Sequence, residues 1–183
     1  MALNKGYLTA KTDRASDEVY TPAYAVKPLL GHLQRYAENN GKNQLVIWCP
    51  FDTDDSEFVK IFREAGYQVI ASHIDNGENF FYYEPEGYDI IISNPPFSVK
   101  DDIIKRLYEL NKPYAMLLPI PTLQGQKRFP YMKDCQALLF DKRINYFKNK
   151  TTKEILKGVS FGSFYLCKNF LSNDLIFEEL EIL

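Results

Sequence analysis

Asn94, Pro95, Pro96 and Phe97 stand directly after the apolar run "YDIIIS", Tyr88 to Ser93. The two prolines lack N–H groups and have fixed φ, so they stiffen the backbone and leave its carbonyls facing outward. The Asn94 side-chain oxygen and the Pro95 carbonyl can together accept both hydrogens of an –NH2 group, and Phe97 is near enough in sequence to cover a ring carrying that amine. An exocyclic amine is a poor nucleophile because its lone pair is delocalised into the ring. Two acceptors on its hydrogens favour the tetrahedral form with an exposed lone pair, a form of electrostatic transition-state stabilisation. No strong local base is needed. The competing reading is a plain turn, since Asn-Pro pairs are frequent turn formers.

A strand must carry this stretch, and the flanking segments say what kind. "QLVIW" (Gln44 to Trp48), "YQVIAS" and "YAMLLPI" are short apolar runs that read as strands, like "YDIIIS". Between them, "SEFVKIFREAG" places Phe58, Ile61, Phe62 and Ala65 on one helical stripe closed by Gly66, and "VKDDIIKRLYELN" predicts another helix. Ahead of them, "TPAYAVKPLLGHLQRYAENNG" reads as one helix, with Thr21 as N-cap and Pro22 in the first turn. Strands alternating with helices predict an α/β fold with a Rossmann-like, doubly wound, mostly parallel sheet. In such sheets ligands bind beyond the carboxyl ends of the strands, the position Asn94 to Phe97 takes. "CQALLF" predicts a further inner strand. "RINYFK" and "VSFGSFYLCK" alternate more clearly and predict an antiparallel hairpin at the C-terminal edge. No linker divides the 183 residues, so a single domain, 1–183, is expected.

Composition excludes several classes. A net charge of −2 gives no global basic field. The three cysteines, Cys49, Cys135 and Cys167, are distant and odd in number, which fits a reducing cytoplasm better than a disulfide framework or a zinc site. His32 and His73 lack metal-ligand spacing, so no metal is expected. "MALNKGYLTAKTDRAS" holds no apolar core of a secretory leader, and no run approaches membrane-spanning length.

"DIIISNPPFS" resembles the catalytic strand and loop of the amino-methyltransferases that use S-adenosylmethionine, in which Asn-Pro-Pro plus an aromatic marks enzymes acting on adenine or on a glutamine amide. Together with "PFD…SEFVKIFREAGYQVIASHI", it is similar to small phage and prophage DNA adenine-N6 methyltransferase-like proteins. The resemblance covers most of the chain. It implies a class I methyltransferase fold, S-adenosylmethionine as cofactor, and methylation of adenine in DNA, with Asn94, Pro95, Pro96 and Phe97 as the catalytic stretch. It further implies cofactor contacts from Tyr20, Thr21 and Pro22 in "DEVYTP"; Thr21-Pro22 as a mere helix start is the alternative. The family's first strand leads into a glycine-rich turn, but Pro50, Phe51 and Asp52 stand there instead, with Asp52 placed to hold the cofactor's ammonium. Asp54, Asp55 and Ser56 can equally cap the following helix. Asp75, with His73 as a weaker match, takes the place of the acid that holds the ribose hydroxyls. Asn79 and Phe80 take the place of the pair beside the cofactor's adenine. Ordinary turn formation is the alternative for these loop residues.

A DNA partner needs phosphate contacts. Lys142, Arg143, Lys148, Lys150, Lys153 and Lys157 lie in one segment with Tyr146 and Phe147, and Lys127 and Arg128 add a second basic site. A solvated hairpin is the alternative reading. After Phe170 only a short acidic tail remains, so no separate target-recognition domain is expected. Two further readings stay open: adenine in RNA or a protein glutamine as acceptor, and a non-catalytic nucleic-acid-binding protein whose glycine-free turn has lost the cofactor.

Overall fold

The computed structural model describes residues 19–149, 151–156 and 161–182. The segment expected as one helix is broken at Pro28. Pro28 has no N–H to give back along the helix, so α1 (Ala23–Val26) stops and α2 (Leu29–Asn39) begins anew. Pro22 is the N-cap residue of α1 and no side chain caps it, so the expected Thr21 cap is corrected. Asn40 and Gly41, the latter at φ +62°, close α2.

β1 (Val46–Cys49), α3 (Glu57–Glu64), β2 (Gln68–Ala71), β3 (Ile90–Ser93), α4 (Lys100–Leu110) and β4 (Tyr114–Pro119) follow in the expected order. Ser56 caps α3 by accepting from the Val59 amide at 3.2 Å, and Gly66 ends that turn at φ +89°. The sheet has seven strands in the order β2-β1-β3-β4-β6-β5-β7, with β5 (Gln136–Phe140), β6 (Ser163–Lys168) and β7 (Leu175–Glu178) completing it. β1 to β4 run parallel, β6 runs antiparallel to both β4 and β5, and β7 runs parallel to β5.

The expected α/β class therefore holds, and its C-terminal half differs in detail. The antiparallel strand is an inner one, and "RINYFK" forms no strand beside it; only isolated bridges join Phe147 to Tyr20 and to Ile155. Part of "VSFGSFYLCK" lies outside the described residues. The acidic tail supplies the edge strand β7. Its outward residues Leu175 and Phe177 are exposed while Ile176 and Glu178 are half-buried, and the acid-rich composition hides that alternation.

Alternation along the strands builds two cores. Ile47, Cys49, Ile90 and Ile92 face α1, α2 and α3 through Val26, Leu29, Phe58 and Phe62. Trp48, Ile91 and Met116 face α4 through Ile103, Ile104 and Leu107. The central strands are buried on both faces, as a sheet sandwiched between helical layers requires. Among the described residues, no helix is long and apolar enough to cross a membrane.

Candidate active site

From β1 the chain moves outward to β2, then returns to the other side of β1 to form β3. The connections leaving the carboxyl ends of β1 and β3 therefore run to opposite sides and leave a crevice between them, the position where open α/β sheets bind ligands. A cavity of about 530 Å³ occupies it. One wall comes from the turn after β1 (Pro50, Phe51, Asp52, Thr53) and the loops after β2, the other from Asn94, Pro95 and Pro96. Val19, Tyr20 and Thr21, with Phe147, Thr151 and Lys153, close the remaining side.

Polar clamps fix the strand ends. The Ser93 hydroxyl donates to Asp52 Oδ2, tying the end of β3 to the turn after β1. Asp52 is 8% exposed and Ser93 fully buried, so this bond operates where a lone carboxylate would be costly. Trp48 Nε1 donates to Ser72 Oγ at 2.9 Å and joins β1 to the end of β2. Burial pushes the Cys49 thiol well above its ordinary value, and the nearby Asp52 carboxylate adds to the shift, so this thiol is no nucleophile.

Asn94 carries the most informative geometry. Its Nδ2 donates to the Val19 carbonyl at 3.3 Å. That acceptor fixes which way the amide faces, because a carbonyl can be met only by the NH2 end. Oδ1 is then buried without a partner. Leaving such an acceptor unmatched costs roughly 1–3 kcal/mol, and unsatisfied buried groups of this kind mark strain or catalytic roles. Pro96, at φ −61° and ψ 125°, keeps the chain extended before it turns into the 3-10 segment Phe97–Val99 and α4.

The expected site residues distribute unevenly. Asn94, Pro95, Pro96, Tyr20, Thr21, Pro50, Phe51, Asp52, Asp75, Asn79 and Phe80 all line the cavity. Pro22 does not; it is buried at the start of α1. Phe97 is also absent from the wall. It packs edge-on against Tyr146 and Phe161, with ring centroids 6.3 and 5.6 Å away. The aromatic after the prolines therefore anchors the loop to the core. Asp75 sits on the short 3-10 turn Ile74–Asn76, where His73 Nδ1 accepts its amide at 3.2 Å. Asn79 Oδ1 accepts from the Phe81 amide at 3.0 Å, so half of its side chain builds the turn. Phe80 tilts against Phe51 at 4.9 Å and Trp48 at 5.5 Å and is core as much as wall.

The basic segment is divided. Tyr146, expected on a nucleic-acid surface, is fully buried and donates to Ser163 Oγ at 2.7 Å, which removes it from any such surface. Burial also pushes its phenol up. Lys142 Nζ donates to the Leu180 carbonyl at 3.0 Å and pairs with Asp141 at 3.2 Å, so it serves the C-terminal segment. Arg128 is corrected in the same way: it bonds Asp101 at 2.6 Å and the Thr122 carbonyl at 2.7 Å. Arg143 and Lys148 are exposed, Lys153 reaches the cavity, and Lys150 and Lys157 lie outside the described residues. The position of Phe147 was not anticipated, although Ile144 and Tyr146 alternating inward put Phe147 on the opposite face.

No family model matches the chain, and no curated protein matches it. Solved structures do. A protein of Listeria monocytogenes described as a candidate class I S-adenosylmethionine-dependent methyltransferase superposes with a TM-score of 0.53, at 11% identity, over 97% of this chain and 70% of its own. The plantazolicin methyltransferase BpumL, solved with a triazolic desmethylPZN analogue and SAH, gives a TM-score of 0.48 at 11% identity, covering 91% of this chain and 94% of its own. The second score is too low to carry an argument. The first shows the fold, a Rossmann-like class I methyltransferase sheet.

Proposed function

We propose that the chain transfers a methyl group from S-adenosylmethionine to the exocyclic amine of adenine in DNA. The observation that carries this reading is Asn94 Oδ1, a buried acceptor held without a partner where β3 ends at the crevice. The cavity volume lies within the range of roughly 300–1,000 Å³ that suits a cofactor-sized ligand. Its donor set fits the cofactor. Asp52 would take the ammonium, Asp75 the ribose hydroxyls, and Phe51 and Phe80 would flank the adenine, with the capped start of α3 near the carboxylate. S-adenosylmethionine supplies a sulfonium methyl group, an electrophile that needs no activation by the protein.

The protein's own work is on the acceptor. Asn94 Oδ1 would accept a hydrogen bond from one amine hydrogen and the Pro95 carbonyl from the other, which draws the nitrogen toward tetrahedral geometry and frees its lone pair, and the proton shed by the methylated nitrogen would pass to solvent. The Val19 carbonyl holds the NH2 end of Asn94 and so fixes the orientation of the amide, and Oδ1, buried in the free protein, has to be uncovered for a target to reach it.

Calorimetric titration with S-adenosylmethionine and with its demethylated product tests the cofactor. Labelled methyl transfer into DNA, RNA and protein pools tests the acceptor. Binding followed by label in DNA adenine is the expected result; label in RNA or in glutamine transfers the reading to those acceptors. A second reading rests on the turn after β1, where Pro50 and Phe51 stand on the wall in place of glycine. On that reading the chain binds nucleic acid without catalysis, and it takes over if neither cofactor form gives heat or a melting shift at millimolar concentration.

A further inference from the structure

The hairpin that closes the cavity carries an arrangement that the methyl-transfer reading leaves unused. Tyr20 and Phe147 exchange both backbone hydrogen bonds, at 3.0 and 2.9 Å. Directly paired residues on antiparallel segments present their side chains to the same side, and both residues line the cavity. Tyr20 follows Val19, whose carbonyl holds the Asn94 amide. The rings on this side of the cavity are therefore Tyr20 and Phe147, while Phe97 is off the wall, half-buried against Tyr146 and Phe161.

Beyond Phe147 the chain reverses around Asn149. Its Oδ1 accepts from the Thr151 and Thr152 amides at 2.8 and 3.1 Å, and its carbonyl accepts from the Lys153 amide at 3.1 Å. This turn holds Lys153 at φ +50°, a left-handed conformation that residues with a side chain seldom adopt outside turns and functional sites. Lys153 then stands on the cavity wall beside Thr151. The acids on the wall, Asp52, Asp55, Glu57 and Asp75, come from the turns after β1 and β2 and the start of α3, together with Lys60 of α3. The hairpin brings its own aromatic ring and its own cation.

We propose that Phe147 covers the target ring and Lys153 takes the adjoining phosphate, so that the site accepts adenine from a single nucleic-acid strand in preference to a duplex. This rests on the methyl-transfer reading. A ring on an aromatic face with one cation beside it is the recognition unit of single-stranded binding. A duplex asks for more: the base must leave its stack and a row of phosphates must be neutralised. The structure ties Arg128 to Asp101 and buries Tyr146, and the exposed Lys142 already pairs with Asp141, which thins that row.

The experiment compares one adenine-containing strand as DNA, as RNA, and as DNA annealed to its complement, with wild type, Phe147→Ala, Phe147→Tyr and Lys153→Gln. Melting temperatures are taken on every variant. The expected outcome is a KM at least tenfold lower for the DNA or RNA strand than for the duplex; which strand is preferred identifies the source. Phe147→Ala should raise the single-strand KM about tenfold or more, the scale of one lost stack, with cofactor titration unchanged and Phe147→Tyr restoring the value. Lys153→Gln should lower the salt dependence of binding. Equal KM for strand and duplex, or an unchanged KM in Phe147→Ala, overturns the inference while leaving methyl transfer standing. If wild type transfers no methyl group to any acceptor, the methyl-transfer reading fails. Fluorescence anisotropy on the same strands then decides the inference: tighter single-strand binding that Phe147→Ala weakens supports it, and equal binding overturns it.

Discussion

The two sides of the cavity are built by different means. The turn after β1 and the end of β3 grow out of fully buried parallel strands and are joined through the Ser93–Asp52 bond. The opposite side, Val19 to Thr21 and hairpin residues 147–149 and 151–156, hangs on isolated bridges and a handful of backbone bonds, such as Lys148 N to Glu154 O at 2.8 Å. One side inherits the stability of the core. The other opens at lower cost, because few buried apolar contacts hold it. A site with one fixed and one yielding wall can keep its acceptor geometry constant while admitting a bulky target. Asn94 stands where they meet, rooted in β3 and steered by Val19.

The sharpest way to test this contrast is to remove the group at the junction. Asn94→Ala should lower single-turnover methyl transfer about 10²-fold or more, the scale of one preorganised hydrogen-bonding group lost, with cofactor affinity nearly unchanged. The variant also loses the Nδ2 bond to the Val19 carbonyl, worth roughly 0.5–1.5 kcal/mol, and the removal of the unmatched Oδ1 offsets part of that, so stability should fall only modestly. A less stable but fully active variant would return Asn94 to the role of a turn former.

Next in size is the fixed wall itself. Ser93→Ala removes a hydrogen bond to a buried carboxylate, worth roughly 1.5–3 kcal/mol. Denaturant unfolding should show that loss, and cofactor titration should weaken with it. Unaltered stability would mean that the strand ends are not clamped there.

The smallest effect belongs to the yielding wall. Asn149→Ala deletes the side-chain bonds to the Thr151 and Thr152 amides, yet global stability should change by only about 0.5 kcal/mol, as for exposed loops. Hydrogen exchange is the telling readout. The Phe147 and Leu156 amides should lose protection, while those of Ile91 and Ser72 keep theirs. A global loss as large as that of Ser93→Ala would erase the distinction between the walls.

The same division separates what the sequence reveals from what it hides. β1, α3, β2, β3, α4 and β4 lie close to their predicted positions because each is a contiguous run with its own periodicity and stop. Asn94 to Pro96 and Pro50 to Asp52 were legible as strand ends for the same reason. Phe97 was not. Whether its ring faces the cavity depends on Tyr146 and Phe161, dozens of residues away, and local pattern holds no trace of them. The inner place of β6 is hidden likewise, since pairing β4 with β6 joins Tyr114 to Lys168 across the whole of β5. "RINYFK" alternates as a strand does, but that alternation serves a hairpin over the cavity.

The strand order also sets a timetable for a chain leaving the ribosome. β1 to β4 can assemble in the order they are made, since every partner of each parallel pair is already present or next to arrive. β5 cannot join when it emerges, because the place beside β4 belongs to β6, and β6 is complete only at Lys168. Until then the growing chain carries an open β4 edge and an apolar strand with no seat, the combination that invites pairing with the wrong neighbour. The stretch through Glu178 then seats β6, β5 and β7 together. A chain stopped before Ser163 lacks the strand between β4 and β5, so the right half of the sheet has nothing to assemble on.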